Sequence, residues 1–215
     1  MPMVHSGLQP NIYPPPFGHI MLITVRYGNG CICLLELPGH LFFDQCRNLD
    51  HKRLLELERL FHSYFSTLVN SSNPKIWFFF VESFWPHYCY KDDYSSMRRL
   101  YAERILDMEE IIPSTDKVVF ICAKVDLHHG LFKNGQPDVP QFFKDIKNQY
   151  PGIFSKYEVK NPIVRLWRKY NCDFVAFSAG SFYMTYEGGL SYSPSKDLYP
   201  ANLWKSITKN LRKMN

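Results

Sequence analysis

Lys124 and Asp126 stand two residues apart at the end of an apolar run, Lys117-Val-Val-Phe-Ile-Cys-Ala-Lys-Val-Asp126. Two other apolar runs end in residues that could also bind a ligand. Leu34-Leu-Glu-Leu-Pro-Gly-His40 carries Glu36, Gly39 and His40, and Asp173-Phe-Val-Ala-Phe-Ser-Ala-Gly180 carries Ser178 and Ala179. Carboxylates accept hydrogen bonds, a lysine donates them, and glycine lets a backbone N–H come close to a bound group. In open α/β sheets, ligands sit just past the carboxyl ends of parallel strands. Three such strand ends imply one nucleotide-sized crevice.

Strands and helices must position these residues. Val118 to Cys122 has no polar alternation, the mark of a strand covered on both faces. His19 to Arg26 reads as a first strand, Tyr27-Gly-Asn-Gly30 as a turn, and Cys31 to Leu37 as the second strand of a hairpin. Pro38-Gly39 breaks it. Leu54, Leu57, Phe61, Phe65 and Leu68 recur at helical spacing within residues 41–69. Ile76 to Val81 is another apolar strand, ending at Glu82-Ser83, and a helix from about Ser95 to Ile111 stops before Pro113.

Beyond the key strand, residues 130–140 read as a loop. Phe142, Phe143, Ile146 and Tyr150 mark a helix. A second helix, Ile163 to Tyr170 with Pro162 as its first residue, is expected to pack Ile163, Leu166 and Trp167. Phe174 to Phe177 is the last inner strand. A long loop with Gly188-Gly189 and Pro194 leads to an amphipathic helix near Ala201. The expected architecture is a three-layer α/β domain over residues 19–215, its sheet mostly parallel with an antiparallel hairpin edge. Residues 1–18, with Pro14, Pro15 and Pro16, form an irregular arm.

Composition narrows the function classes. The 215 residues are 46% hydrophobic and 21% charged, which fits a folded domain, and the net charge of +5 is mild. Lys205, Lys209, Arg212 and Lys213 at a helix end need no nucleic-acid partner to explain them. The basic and aromatic stretch Arg165-Leu-Trp-Arg-Lys-Tyr170 is equally explained by a helix that buries Trp167. The cysteines form no Cys-x-x-Cys pair, and the histidines form no ligand-spaced set, so reduced thiols, a cytoplasmic setting and no metal site are expected. No apolar stretch is long enough to span a bilayer, and no membrane partner is expected. A nucleophile elbow and paired carboxylates at strand ends are both missing.

The order of the three strand ends resembles the P-loop GTPases, read from just after their phosphate-binding loop. Glu36-Leu37-Pro38-Gly39-His40 is similar to the Asp-x-Pro-Gly-His form of the translation-factor branch. Ala123-Lys124-Val125-Asp126 resembles the family's Asn-Lys-x-Asp, and Ser178-Ala179-Gly180 resembles its Ser-Ala-Lys turn. The loop before Asn202-Leu203-Trp204 also resembles bacterial double-GTPases. The likeness covers most of residues 19–215. It implies that Asp126 accepts two hydrogen bonds from guanine, with the Lys124 stem over the base and the Ala179 N–H on the guanine carbonyl. It further implies Gly39 near the γ-phosphate, Glu36 reaching magnesium through water, and His40 orienting the attacking water as the catalytic residue.

The departures weigh on activity. No Gly-x-x-x-x-Gly-Lys-Ser/Thr occurs, no threonine precedes the first strand, Glu36 replaces Asp, Ala123 replaces Asn, and Gly180 replaces Lys. The phosphate loop supplies most phosphate binding and transition-state stabilisation, so weak or no hydrolysis is expected from this chain alone. GTP or GDP is the implied ligand, with Mg2+ only where a phosphate loop is supplied from elsewhere. Three accounts stay open. One is the C-terminal portion of a longer GTPase. Another is a degenerate, non-catalytic interaction module, pairing with a complete GTPase or another partner that completes the sheet or the phosphate site. The third is an α/β domain of another class.

Overall fold

The apolar runs become parallel strands in a computed structural model, which describes residues 21–27, 30–36, 59, 63–83, 91–186 and 188–214. The chain divides into two compact units, Met1–Ser71 and Ser72–Asn215.

In the first unit, β1 (Met21–Tyr27) and β2 (Gly30–Glu36) form the expected antiparallel hairpin, in register from Met21 opposite Glu36 to Tyr27 opposite Gly30. That register leaves Gly28 and Asn29 as the link, the two-residue length that Asn and Gly favour. Residues 63–70 are helical, with Phe65 buried as its periodicity implies. Gly39, His40 and most of the helix expected over 41–69 lie outside the described residues.

The second unit holds β3 (Ile76–Glu82), β4 (Lys117–Ala123) and β7 (Asp173–Ala176), a parallel sheet in the order β3-β4-β7. In β4 the side chains from Val118 to Cys122 are all buried, as an uninterrupted apolar run requires. Alternate residues serve opposite faces. Val119, Ile121 and Val175 pack with Phe78 and Leu203. Phe120 meets Phe79 and Phe154, with ring centroids 5.5 and 4.6 Å apart.

Helices α1 (Lys91–Ile111), α2 (Val139–Gln149) and α4 (Leu198–Leu211) contribute buried side chains to the core, and the six-residue α3 (Pro162–Trp167) does not. Ile105 of α1, Phe142 and Ile146 of α2, and Ile207 of α4 are buried. The structure is therefore α/β with antiparallel hairpins, the coarse architecture the sequence implied.

Three expectations needed correction. The segment 130–140 is not a plain loop: β5 (Phe132–Lys133) and β6 (Gln136–Pro137) pair across Asn134 and Gly135, whose φ angles are 51° and 72°. Positive φ at both positions is what an Asn-Gly turn provides at little cost. The loop after β7 likewise contains a hairpin, β8 (Gly180–Met184) with β9 (Leu190–Pro194). Third, α3 buries none of its residues: Ile163, Leu166 and Trp167 are 71%, 84% and 90% exposed. The helix ends at Trp167 because Arg168 turns extended and its guanidinium Nε donates to the Tyr170 carbonyl at 2.8 Å.

Candidate functional site at the ends of β4 and β7

The chain leaves β4 through Lys124, whose φ of 55° lies in the left-handed region. For a residue with a Cβ this costs about 1–2 kcal/mol, so the surroundings must hold it. They do so through backbone hydrogen bonds. The Phe177 N–H donates to the Cys122 carbonyl at 2.8 Å, and the Val125 N–H donates to the Phe177 carbonyl at 3.3 Å. Leu127 and His128 close the 3-10 turn that contains Asp126, by donating to Lys124 and Val125. This latch sets Asp126 beside Ser178, on adjoining parallel strand ends.

Asp126 and Ser178 line one cleft of about 440 Å3. Its other walls include Phe132 and Gly135 of the small hairpin, Ser195 and Lys196 of the link after β9, and Tyr199 of α4. Burial raises the Tyr199 phenol above its ordinary range, and the nearby negative charge of Asp126 adds to the shift. Lys196 Nζ crosses to the Gly135 carbonyl at 3.4 Å, which ties two walls together. The volume lies in the range of small-molecule sites. A carboxylate, serine hydroxyls, an ammonium and two aromatic rings suit a flat polar heterocycle.

The Ser178-Ala179-Gly180 turn is held from several sides. The Ser178 hydroxyl accepts from the Gly180 N–H at 3.2 Å, and the Ser195 hydroxyl donates to the Ser178 carbonyl at 2.5 Å. The exposed Ala179 offers its carbonyl to the Tyr192 hydroxyl and to the Ser195 N–H. Gly180 has φ +130°, and a Cβ there would meet the Ser193 carbonyl oxygen at 2.3 Å. Gly180 thus cannot carry a side chain beside this hairpin.

Lys124 is not among the residues lining the cleft. Its ammonium instead pairs with Glu82 at the tip of β3, at 2.8 Å. Glu82 is also tied to the core, since its carbonyl accepts from the Tyr150 hydroxyl at 3.0 Å. Glu36 ends β2 in the first unit, opposite Met21. Gly39 and His40 lie outside the described residues. Among the expected positions, then, Asp126 and Ser178 share the cleft; Ala179 adjoins Ser178 without lining it, and Lys124 is turned to β3.

Sequence reasoning missed Glu82 as the partner of Lys124, and Ser195, Lys196 and Tyr199 as walls. The signal for Glu82 was present: it ends an apolar strand as Asp126 follows one. The other three sit near the cleft only because β8 and β9 fold back as a hairpin. Among the described residues no group of three or more His, Cys, Asp or Glu side chains could hold a metal ion, and no helix is long and apolar enough to cross a membrane. No known family model, curated protein or solved structure matches the chain.

Proposed function

We propose that the chain is an incomplete or degenerate GTPase-like domain that recognises guanine nucleotides through their base. In this reading the parallel β3-β4-β7 sheet is part of a P-loop-type sheet without its phosphate loop. The observation that carries it is the shared cleft of Asp126 and Ser178 at neighbouring parallel strand ends. Asp126 accepts the two N–H groups on one edge of guanine, the Ala179 backbone faces the guanine carbonyl, and Phe132 and Tyr199 flank the ring. Adenine lacks that pair of donors, and a site built to hydrogen-bond a donor pair discriminates strongly against a ligand without it. Hydrolysis is weak or nil on this chain alone, because no lysine and glycine-rich nest cradles the phosphates.

Calorimetry with GTP, GDP and ATP on the full chain tests this reading. GTP and GDP should bind in preference to ATP, and Asp126→Asn should weaken guanine binding by about tenfold or more while leaving ATP unaffected. Equal binding of all three, or an Asp126→Asn chain that binds guanine normally, would overturn it.

A second reading is a non-catalytic module that pairs with a complete GTPase or another protein. The observation favouring it is that β3, among the described residues, is laddered on one side only, to β4, with Phe80 52% exposed. Unpaired strand edges invite a partner strand. A stable fold with no nucleotide response in the calorimetry would favour this reading over the first.

A further inference from the structure

The helix that turns its apolar residues outward is firmly built. Asn161 caps α3, its side-chain oxygen accepting from the Ile163 and Val164 N–H groups at 2.9 and 3.3 Å, and Pro162 takes the first position. The segment that carries α3 is stapled at its base. Glu158 bridges to Tyr170, Val159 N–H donates to the Lys169 carbonyl at 3.0 Å, and Asn171 N–H donates to the Tyr157 carbonyl at 2.7 Å. These staples close the loop that carries α3 at its base. Ile163, Leu166 and Trp167, at i, i+3 and i+4, share one face of a helix that is exposed throughout, and they are 71%, 84% and 90% exposed.

Cations surround the same feature. Trp167 lies on the rim of a cleft of about 720 Å3 whose lining includes Lys144, Lys147, Arg168, Lys169, Lys209 and Lys213. Asp173 is its one carboxylate, and both of its oxygens are already engaged by Lys209 and Asn210. Burial, followed by the positive charges of Arg168 and Lys209, holds the Lys213 ammonium below its ordinary range. Lys147 also meets Glu158 at 3.4 Å, but the cations still outnumber the carboxylates, so the site is complementary to an anion.

We propose that this face docks on an anionic phospholipid bilayer, with Ile163, Leu166 and Trp167 entering the acyl boundary and the basic cleft meeting lipid headgroup phosphates. An exposed apolar stripe with tryptophan, bordered by Lys and Arg, is the chemistry of an interfacial helix that lies on a membrane without crossing it. A single-stranded nucleic acid would use Trp167 and the cations but leaves the exposed Ile163 and Leu166 unexplained. A bilayer surface accounts for both. The expectation of no membrane partner rested on the lack of a spanning stretch, and docking on the surface needs none.

Co-sedimentation of the full chain with phospholipid vesicles decides the matter. The chain should pellet with phosphatidylcholine vesicles containing about 30% phosphatidylserine, far less with phosphatidylcholine alone, and less at about 0.5 M salt than at about 0.1 M. These arms need no variant. Leu166→Ser with Trp167→Ser should weaken the binding at least about tenfold, and Lys144→Gln with Lys169→Gln about tenfold. All four side chains are exposed, so both pairs should melt like the unaltered chain. Failure to pellet with anionic vesicles, equal pelleting with neutral ones, or undiminished binding by either pair would overturn the proposal. So would capture of a labelled oligodeoxythymidine by a chain that ignores vesicles.

Discussion

Gly180 and Glu109 show opposite ways in which a single residue sets a limit. At Gly180 the backbone has φ +130°, and any Cβ would meet the Ser193 carbonyl at 2.3 Å and the Ser195 amide nitrogen at 2.9 Å. Backbone atoms cannot swing aside as a flexible side chain can. Gly180→Ala should therefore cost about 2–3 kcal/mol and lower the midpoint of thermal unfolding by several degrees. A melting curve unchanged from that of the unaltered chain would contradict the close approach of β9. Glu109 is limited by charge instead. It is 1% exposed, and burial lifts its carboxyl to about 8, partly offset by the positive charge of Lys156. A carboxyl raised in the fold is neutral there while the unfolded chain ionises, so its stabilising share is whole below the ordinary carboxyl pKa and is lost as pH rises toward 8. Glu109→Gln should flatten this loss, leaving stability near pH 4 unchanged and adding on the order of 3 kcal/mol near pH 7.5. Chemical denaturation at the two pH values reads the difference.

Among the elements, β7 and α4 are joined by a polar clamp. Asp173 opens β7 and accepts from Lys209 Nζ at 3.0 and 3.1 Å, from Asn210 Nδ2 at 2.8 Å and from Ser206 Oγ at 3.2 Å. Burial alone would raise the Asp173 carboxyl, but the hydrogen bonds from Lys209 and Asn210 outweigh it and hold the carboxyl below its ordinary range. The sign is the reverse of that at Glu109: stability from Asp173 is present above the ordinary aspartate pKa and lost as pH falls through the lowered one. Asp173→Ala should cost about 2–3 kcal/mol at neutral pH, because the buried Asn210 amide and the Lys209 ammonium lose their acceptor. The penalty should shrink in acid, as urea midpoints at neutral and low pH would register.

The elements also differ in how far the sequence reveals them. β4 could be read because five consecutive apolar residues have no other use than a strand buried on both faces. The Asn134-Gly135 turn carried its own signal, but strands of two residues are too short for periodicity to mark. The β8–β9 hairpin was hidden because its pairing depends on contacts across the turn, which no local pattern encodes. With it went Ser195, Lys196 and Tyr199, so the cleft floor was legible and most of its walls were not. For α3 the local pattern was read correctly as amphipathic. The assumption that an apolar stripe faces inward was what failed, since periodicity fixes which residues share a face but not what lies opposite that face.

At the scale of the whole molecule, everything that builds the cleft lies in one of the two units. Asp126, Ser178 and the walls from Phe132 to Tyr199 all belong to Ser72–Asn215, as do the three parallel strands and the helices that cover them. Buried apolar side chains of β4 and β7 have partners inside the same unit, among them Phe154, Tyr157 and Leu203. A segment with its own hydrophobic core folds as a unit, and a chain of this length can bury enough surface to do so. Residues 72–215 expressed alone should therefore unfold in a single cooperative transition, and should retain whatever guanine preference the full chain has. Loss of cooperative melting in that fragment would show that the first unit completes the core. A fragment that melts cooperatively but binds no nucleotide, beside a full chain that does, would assign part of the site to the segment containing Glu36, Gly39 and His40. The comparison thus tests, in one experiment, whether base recognition is separable from the residues the GTPase resemblance places at the phosphates.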